Sequence, residues 1–211
     1  MTVRSATRVR LLSWVGAVAI ASAALPVLAQ EPDPGRAARW MDNLMWGRGH
    51  VGGPFELIDQ NGNRRTDTDF RGKLLIVYFG YTHCPDICPT DLAQIGLAVD
   101  KLGELGDDVQ PLFISVDPER DTPQVLAQYV TSFHPRLIGL TGTPEQIRAV
   151  ADSYMAYYAK YVPADGSVYL IDHTGLIYLI GRSGEYLGFF PPGTSADRMV
   201  EIIRQHSAHR P

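Results

Sequence analysis

Apolar and polar residues alternate in blocks whose period changes along the chain, and the blocks name the elements. Lys73–Phe79, KLLIVYF, is a continuous apolar, β-branched and aromatic run, the pattern of a strand buried on both faces. Leu92, Ile95, Val99 and Leu102 then recur at intervals of three, four and three, which predicts a helix. Pro111–Val116, PLFISV, reads as a second central strand. Thr122 and Pro123 open the next helix as N-cap and first-turn proline, with Val125, Leu126, Tyr129, Val130 and Phe133 on its apolar face. Leu137–Leu140 is a short strand, and Thr143-Pro144-Glu145-Gln146 starts another helix with Gln146 placed to close a capping box. Val168–Ile171 and Leu176–Ile180 read as two strands around a tight Asp172-His173-Thr174-Gly175 turn. Glu185–Phe190 adds a strand, and Thr194 or Ser195 caps a last helix through His206. Ahead of all these, Phe55–Asp59 followed by Asn61-Gly62 reads as a hairpin.

Strand, helix, strand, helix, antiparallel strands, helix is the order of an α/β fold, a mixed central sheet flanked by helices. A buried strand running into a cysteine pair at the start of a helix is the thioredoxin-like arrangement, here with an extra N-terminal hairpin. The expected domain covers residues 52–207. Residues 30–51 read as a linker or leader, with 36–46 either a short amphipathic helix or a mobile leader. Residues 1–29 differ in kind: Arg4, Arg8 and Arg10, then an apolar run from 11 to 29 ending in Val27-Leu28-Ala29. That is the plan of a secretory signal cleaved before Gln30, the alternative being an uncleaved membrane anchor. Arginines on the N-terminal side stay in the cytoplasm in either case, so the domain is expected on the exported, periplasmic side, soluble or anchored to the inner membrane by residues 11–29.

Composition narrows the function. Apolar residues are 45% and charged residues 20% of the 211, an ordinary soluble balance. The formal charge is −4, and no basic run offers nucleic acid an electrostatic footprint. Only two cysteines exist, Cys84 and Cys88, both in GYTHCPDICPT at 80–90. In an oxidising compartment a structural disulfide is the ordinary expectation. Positions four apart close so short a loop that the stabilisation is small, and on a regular helix their Cβ atoms stand about 5–6 Å apart, so a disulfide would require local distortion. Two sulfurs around a metal span that gap, and a helix N-terminus favours the thiolate, which is both ligand and nucleophile. A third ligand must come from elsewhere. His206 and His209 lie in the tail, His50 in the leader, and His134 at a helix end where a helix-terminal charge explains it. His83 neighbours Cys84 and is expected to point away. His173 sits in a turn between two apolar strands, where a loop residue is held rigidly, but the spacing alone does not select it.

GKLLIVYFGYTHCPDICPTDL (72–92), ISVDPERDTP (114–123) and VYLIDHTGLIYLI (168–180), with GGPFELIDQNG (52–62) ahead of them, together resemble the Sco/SenC family of copper-binding proteins of cytochrome c oxidase assembly. The resemblance runs in order across about residues 51–205. It implies a thioredoxin-like fold, with Cys84, Cys88 and His173 as copper ligands and the two cysteines as a redox-active pair. It implies partners as well: an upstream copper donor and the copper-receiving subunit of a terminal oxidase. Two thiolates and one imidazole suit Cu(I), Cu(II) or Zn(II), and three ligands leave the site open. Asp172 is either an orienting partner of His173 or a turn-former. Asp86 and Asp117 are weaker near-site candidates, and ISVDPERDTP reads equally as strand-end and helix-cap chemistry. Two function classes follow: a metallochaperone that delivers copper to the dinuclear copper centre of the oxidase, and a thiol–disulfide oxidoreductase that reduces cysteines of that subunit.

Overall fold

The structure, a computed structural model, describes residues 34–46, 48–164 and 168–207. The segment 1–29 read as signal or anchor lies outside the described residues, as does His209. Among the described residues no helix is long and apolar enough to cross a membrane.

The elements run α1 (Pro34–Met45), β1 (Glu56–Asp59), β2 (Arg64–Thr66), β3 (Leu74–Gly80), α2 (Ile87–Lys101), β4 (Val109–Ser115), α3 (Pro123–Thr131) and β5 (Ile138–Thr141). They continue with α4 (Pro144–Ser153), β6 (Tyr158–Tyr161), β7 (Leu170–His173), β8 (Ile177–Ile180), β9 (Tyr186–Phe190) and α5 (Ala196–Ser207). A seven-stranded mixed sheet has the order β2-β1-β5-β4-β3-β8-β9, and β6-β7 form a second, two-stranded sheet. The three inner strands β3, β4 and β5 run parallel, and β8 returns antiparallel against β3. This is the mixed, thioredoxin-like α/β sheet with an N-terminal hairpin, β1 and β2, added at one edge.

The unbroken apolar run of β3 has its reason in the two cores. Leu74, Ile76 and Tyr78 face Leu92, Ile95 and Val99 of α2, Leu126 and Val130 of α3, and Met199 and Ile203 of α5. Leu75, Val77 and Phe79 face the opposite core, where Ile147, Val150 and Ala151 of α4 pack. Every residue of β3 is buried, as a central parallel strand covered on both faces requires. The helix starts follow local chemistry. Thr122 Oγ1 accepts from Val125 N, and Thr143 with Gln146 closes a reciprocal capping box ahead of α4.

The segment 30–51, read as linker or leader, takes the helical alternative as α1, and Leu44 and Val51 enter the core at 4% exposure each. Its helix is tied down by Arg36 Nη2 to Asp152 Oδ1 at 2.7 Å. The strands on either side of Asp172–Gly175 do not form a hairpin. β7 pairs with β6, Tyr158 opposite His173, whereas β8 pairs with β3 and β9. Gly175, at φ +60, turns the chain from one sheet to the other, a conformation that favours glycine. β6 went unread because YAKY carries no apolar alternation and both of its last residues are exposed. His134 lies just past the end of α3. It is 6% exposed, its Nδ1 accepts from Arg136 N at 3.1 Å, and its Nε2 lies 3.3 Å from Asp100 Oδ1.

Candidate metal centre

The site lies where β3 ends. Tyr81 closes a tight turn, its carbonyl accepting from Cys84 N at 3.2 Å, and the chain enters α2 at Ile87. Cys88 therefore belongs to the first helical turn, and Pro89 does not hold it out of the helix. The proline is tolerated because it is the third residue of α2, where a backbone N–H has no partner four residues back. Cys88 is fully buried and Cys84 half-buried; neither is in a disulfide. Gly80 makes room beneath them: a Cβ there would sit 2.8 Å from Cys88 Sγ.

His173 ends β7 and reaches the thiols from the other sheet. Its Nε2 is 3.3 Å from Cys88 Sγ, across 85 residues of sequence. One ligand atom from each of Cys84, Cys88 and His173 lies within 4.8 Å of the others. Bond lengths of about 2.3 Å to sulfur and 2.0 Å to imidazole nitrogen demand sulfur–nitrogen separations of roughly 3.5–3.7 Å, so the Cys88–His173 pair needs to open by only a few tenths of an ångström. Among the described residues this is the one such cluster of three histidine, cysteine or carboxylate groups.

The imidazole is fixed by its surroundings. Tyr81 and Tyr78 meet it edge-on, with centroids at 6.0 and 6.3 Å and interplanar angles of 87° and 81°. Its Nδ1 accepts from the backbone N–H of Gly175 at 3.2 Å. The group orienting the ring is thus a backbone amide, whereas Asp172 is exposed. With Nδ1 accepting, the neutral ring carries its proton on Nε2, facing sulfur, and that proton must leave when a metal takes the nitrogen.

The two thiols are electrostatically unlike. A hydrogen bond from Cys88 holds Cys84 well below the ordinary thiol range against the opposing effect of burial, helped by His173 and the backbone N–H groups of Asp86 and Cys88. Cys88 is pushed up by that same bond to the Cys84 thiolate and by its burial. The two thiols therefore titrate as a coupled pair, Cys84 favoured as the thiolate and Cys88 as the thiol. Beneath them Asp91 is fully buried on α2, its Oδ1 accepting from Gly193 N at 2.8 Å, and burial raises its pKa. Sequence reading passed over Asp91, although an acid directly before Leu92 on the apolar face was a usable sign. Asp86 is exposed at the helix start and its side chain makes no cap bond. His83 is exposed, with Nδ1 3.0 Å from Thr82 Oγ1, and stands outside the ligand group.

Known proteins match most of this chain. The family model described as SCO1/SenC matches residues 45–208. The chain belongs to the SCO1/SenC family. Among its relatives, the mitochondrial SCO1 homolog 1 of Arabidopsis thaliana is 48% identical over 165 residues, 76% of this chain and 49% of that protein. The mitochondrial SCO1 homolog of Homo sapiens is 43% identical over 162 residues, 76% of this chain and 54% of that protein. The chain thus spans about half the length of these two relatives. A SCO2-like protein of Rickettsia prowazekii is 42% identical over 182 residues, covering 86% of this chain and 89% of its own. Among solved structures, Arabidopsis thaliana ScoI with copper bound superposes with a TM-score of 0.71 at 45% identity, covering 76% of this chain and 99% of its own. Bradyrhizobium japonicum ScoI with copper bound gives 0.69 at 43% identity, covering 74% and 99%.

Proposed function

We propose that this SCO1/SenC protein is an exported copper metallochaperone that holds copper through Cys84, Cys88 and His173 and delivers it to the dinuclear copper centre of cytochrome c oxidase. The observation that carries the reading is the meeting of three ligand atoms, from α2, its preceding loop and β7, within 4.8 Å. The donor set suits a soft or borderline ion, and two Sco relatives with more than 40% identity have been solved with copper bound. Three protein ligands, the buried Cys88 with the half-buried Cys84 and His173, leave a coordination position through which the ion is handed on. Copper here is cargo: it arrives from an upstream donor and leaves to the copper-receiving subunit of the oxidase. Residues 1–29 direct the domain to the periplasmic side, as signal or anchor, and residues 52–207 form the copper-binding domain.

A second reading rests on a specific observation. Cys84 is half-buried with a lowered pKa, the signature of a nucleophilic thiolate beside its resolving partner. A thiol–disulfide oxidoreductase acting on cysteines of the oxidase copper subunit would use Cys84 and Cys88 without His173. The experiment that separates the two is His173→Ala. The chaperone reading expects copper affinity to fall by more than about 100-fold, beyond the loss of a mere orienting partner, with oxidase assembly lost in cells and disulfide exchange retained. Normal assembly with copper binding abolished would overturn it in favour of the reductase.

A further inference from the structure

The segment between β4 and α3, Ser115–Thr122, forms a network that reaches both halves of the metal centre although none of its residues belongs to the ligand group. On the cysteine side stands Asp121, fully buried. Its Oδ2 accepts from Thr82 N at 3.0 Å and from Ser115 Oγ at 2.6 Å, and its Oδ1 from Thr82 Oγ1 at 2.6 Å. Thr82 is two residues before Cys84, so this carboxylate pins the start of the thiol loop. Ser115 in turn accepts from Asp117 N at 3.0 Å, and Asp121 N donates to Asp117 O at 2.9 Å, which closes the segment on itself.

On the histidine side stand Arg120 and Asp117. Asp117 is buried, ion-pairs with Arg120 Nε, and accepts from the Tyr169 hydroxyl at 2.8 Å. Arg120 Nη1 donates to Tyr169 O at 3.1 Å, and its guanidinium lies 3.7 Å over the Tyr169 ring and 5.8 Å over that of Tyr81. Tyr169 directly precedes β7, which ends in His173. Tyr81 is the residue whose ring edges the imidazole. A planar fork that bonds a carboxylate and a carbonyl while stacking on rings is arginine chemistry that lysine does not reproduce.

The geometry points to this segment as a two-armed brace that sets the distance between the thiols and the imidazole, with Asp121 positioning the cysteine loop and Arg120 with Asp117 positioning the histidine strand. The thiol arm follows β3 of the seven-stranded sheet and the histidine arm ends β7 of the two-stranded one, with no ladder between these strands, so register alone does not fix their separation, and the brace does. The inference builds on the copper reading above, and it also makes a claim about the metal-free protein.

The test is a mutant cycle with Cu(I) as probe, using Arg120→Lys, which keeps the charge beside Asp117, and Tyr169→Leu as the second variant at the half-buried far end. Each is made alone and with His173→Ala, and Cu(I) affinity is measured by chelator competition. The brace predicts that each weakens Cu(I) binding on the order of tenfold in the otherwise native protein, and less than about twofold once His173 is gone, because the effect travels through His173. Amide hydrogen exchange of the metal-free variants should quicken along 168–173 and stay native along 74–80. Equal weakening in both backgrounds, or unchanged affinity and exchange in both variants, would overturn the brace. If His173→Ala alone leaves Cu(I) affinity unchanged, the copper reading fails, and the exchange pattern of the metal-free variants still decides the brace by itself.

Discussion

Gly80 is the residue at which fold and site compete most directly for space. Replacing it with alanine places a Cβ 2.8 Å from Cys88 Sγ, 2.9 Å from Phe113 Cε2 and 3.2 Å from Tyr78 Cε1. Its φ is not in the left-handed region, so the cost is steric and not torsional. Ordinary contact begins at 3.4 Å, so the sulfur and the Phe113 ring must each give way by about 0.5–0.6 Å in a packed core. Overpacking of this kind costs about 1–3 kcal/mol, offset by about 0.4–1 kcal/mol from the stiffer unfolded chain. A net loss of about 1–2 kcal/mol lowers the melting temperature of a domain this size by roughly 2–8 °C. The site suffers more than the fold. Metal–ligand distances tolerate only about 0.2 Å, so Gly80→Ala should weaken copper binding on the order of 10–100-fold while the protein stays folded at 25 °C. Thermal melts of the apo protein and chelator competition for Cu(I) measure the two effects side by side. A variant with the native melt and the native copper affinity would refute the placement of Cys88 beneath that backbone.

Cys84 is held below its ordinary pKa and Cys88 above, so lowering the pH should leave Cys84 a thiolate and raising it should leave Cys88 protonated. Iodoacetamide at pH 6 is therefore expected to label the reduced apo protein once, at Cys84; a rate that falls tenfold per pH unit below about 8 would show an ordinary thiol. Joining the cysteines in a disulfide removes both thiolates, so the oxidised protein should lose high-affinity copper binding, and bound copper should shield both thiols from alkylation; equal affinity of the oxidised and reduced forms would exclude the cysteines as ligands. Thr143→Ala removes the hydroxyl that accepts from Gln146 N at 3.2 Å, and should cost about 0.5–2 kcal/mol in a denaturant melt with copper affinity unchanged. A change in copper affinity there would mean that α4 and the site are coupled.

Local chemistry made much of this legible in the sequence. The run at 73–79 could only be a central strand, and Thr122, Thr143 and Gln146 announced their helices through capping that the structure contains. The cysteine pair stood out by spacing alone. What the residues did not disclose was long-range. Nothing in VYLIDHTGLIYLI reveals that its two halves enter different sheets, because the partner strand β6 has no apolar signature. The meeting of His173 with Cys88 across 85 residues is likewise a product of topology, and only the family resemblance singled out that histidine beforehand. Asp117, a near-site candidate from the sequence, bonds Arg120 and the Tyr169 hydroxyl, partners that the residues alone did not disclose.

The central claim is that copper is bound by two sulfurs and one imidazole nitrogen drawn from these three residues. Copper K-edge X-ray absorption on the reduced, copper-loaded protein, wild type beside His173→Ala, tests it most directly. The account predicts a first shell of two sulfurs and one nitrogen in the wild type, with the imidazole scattering gone and both sulfurs kept in the variant. A wild-type shell with fewer than two sulfurs, or an imidazole signal that survives the loss of His173, would contradict it.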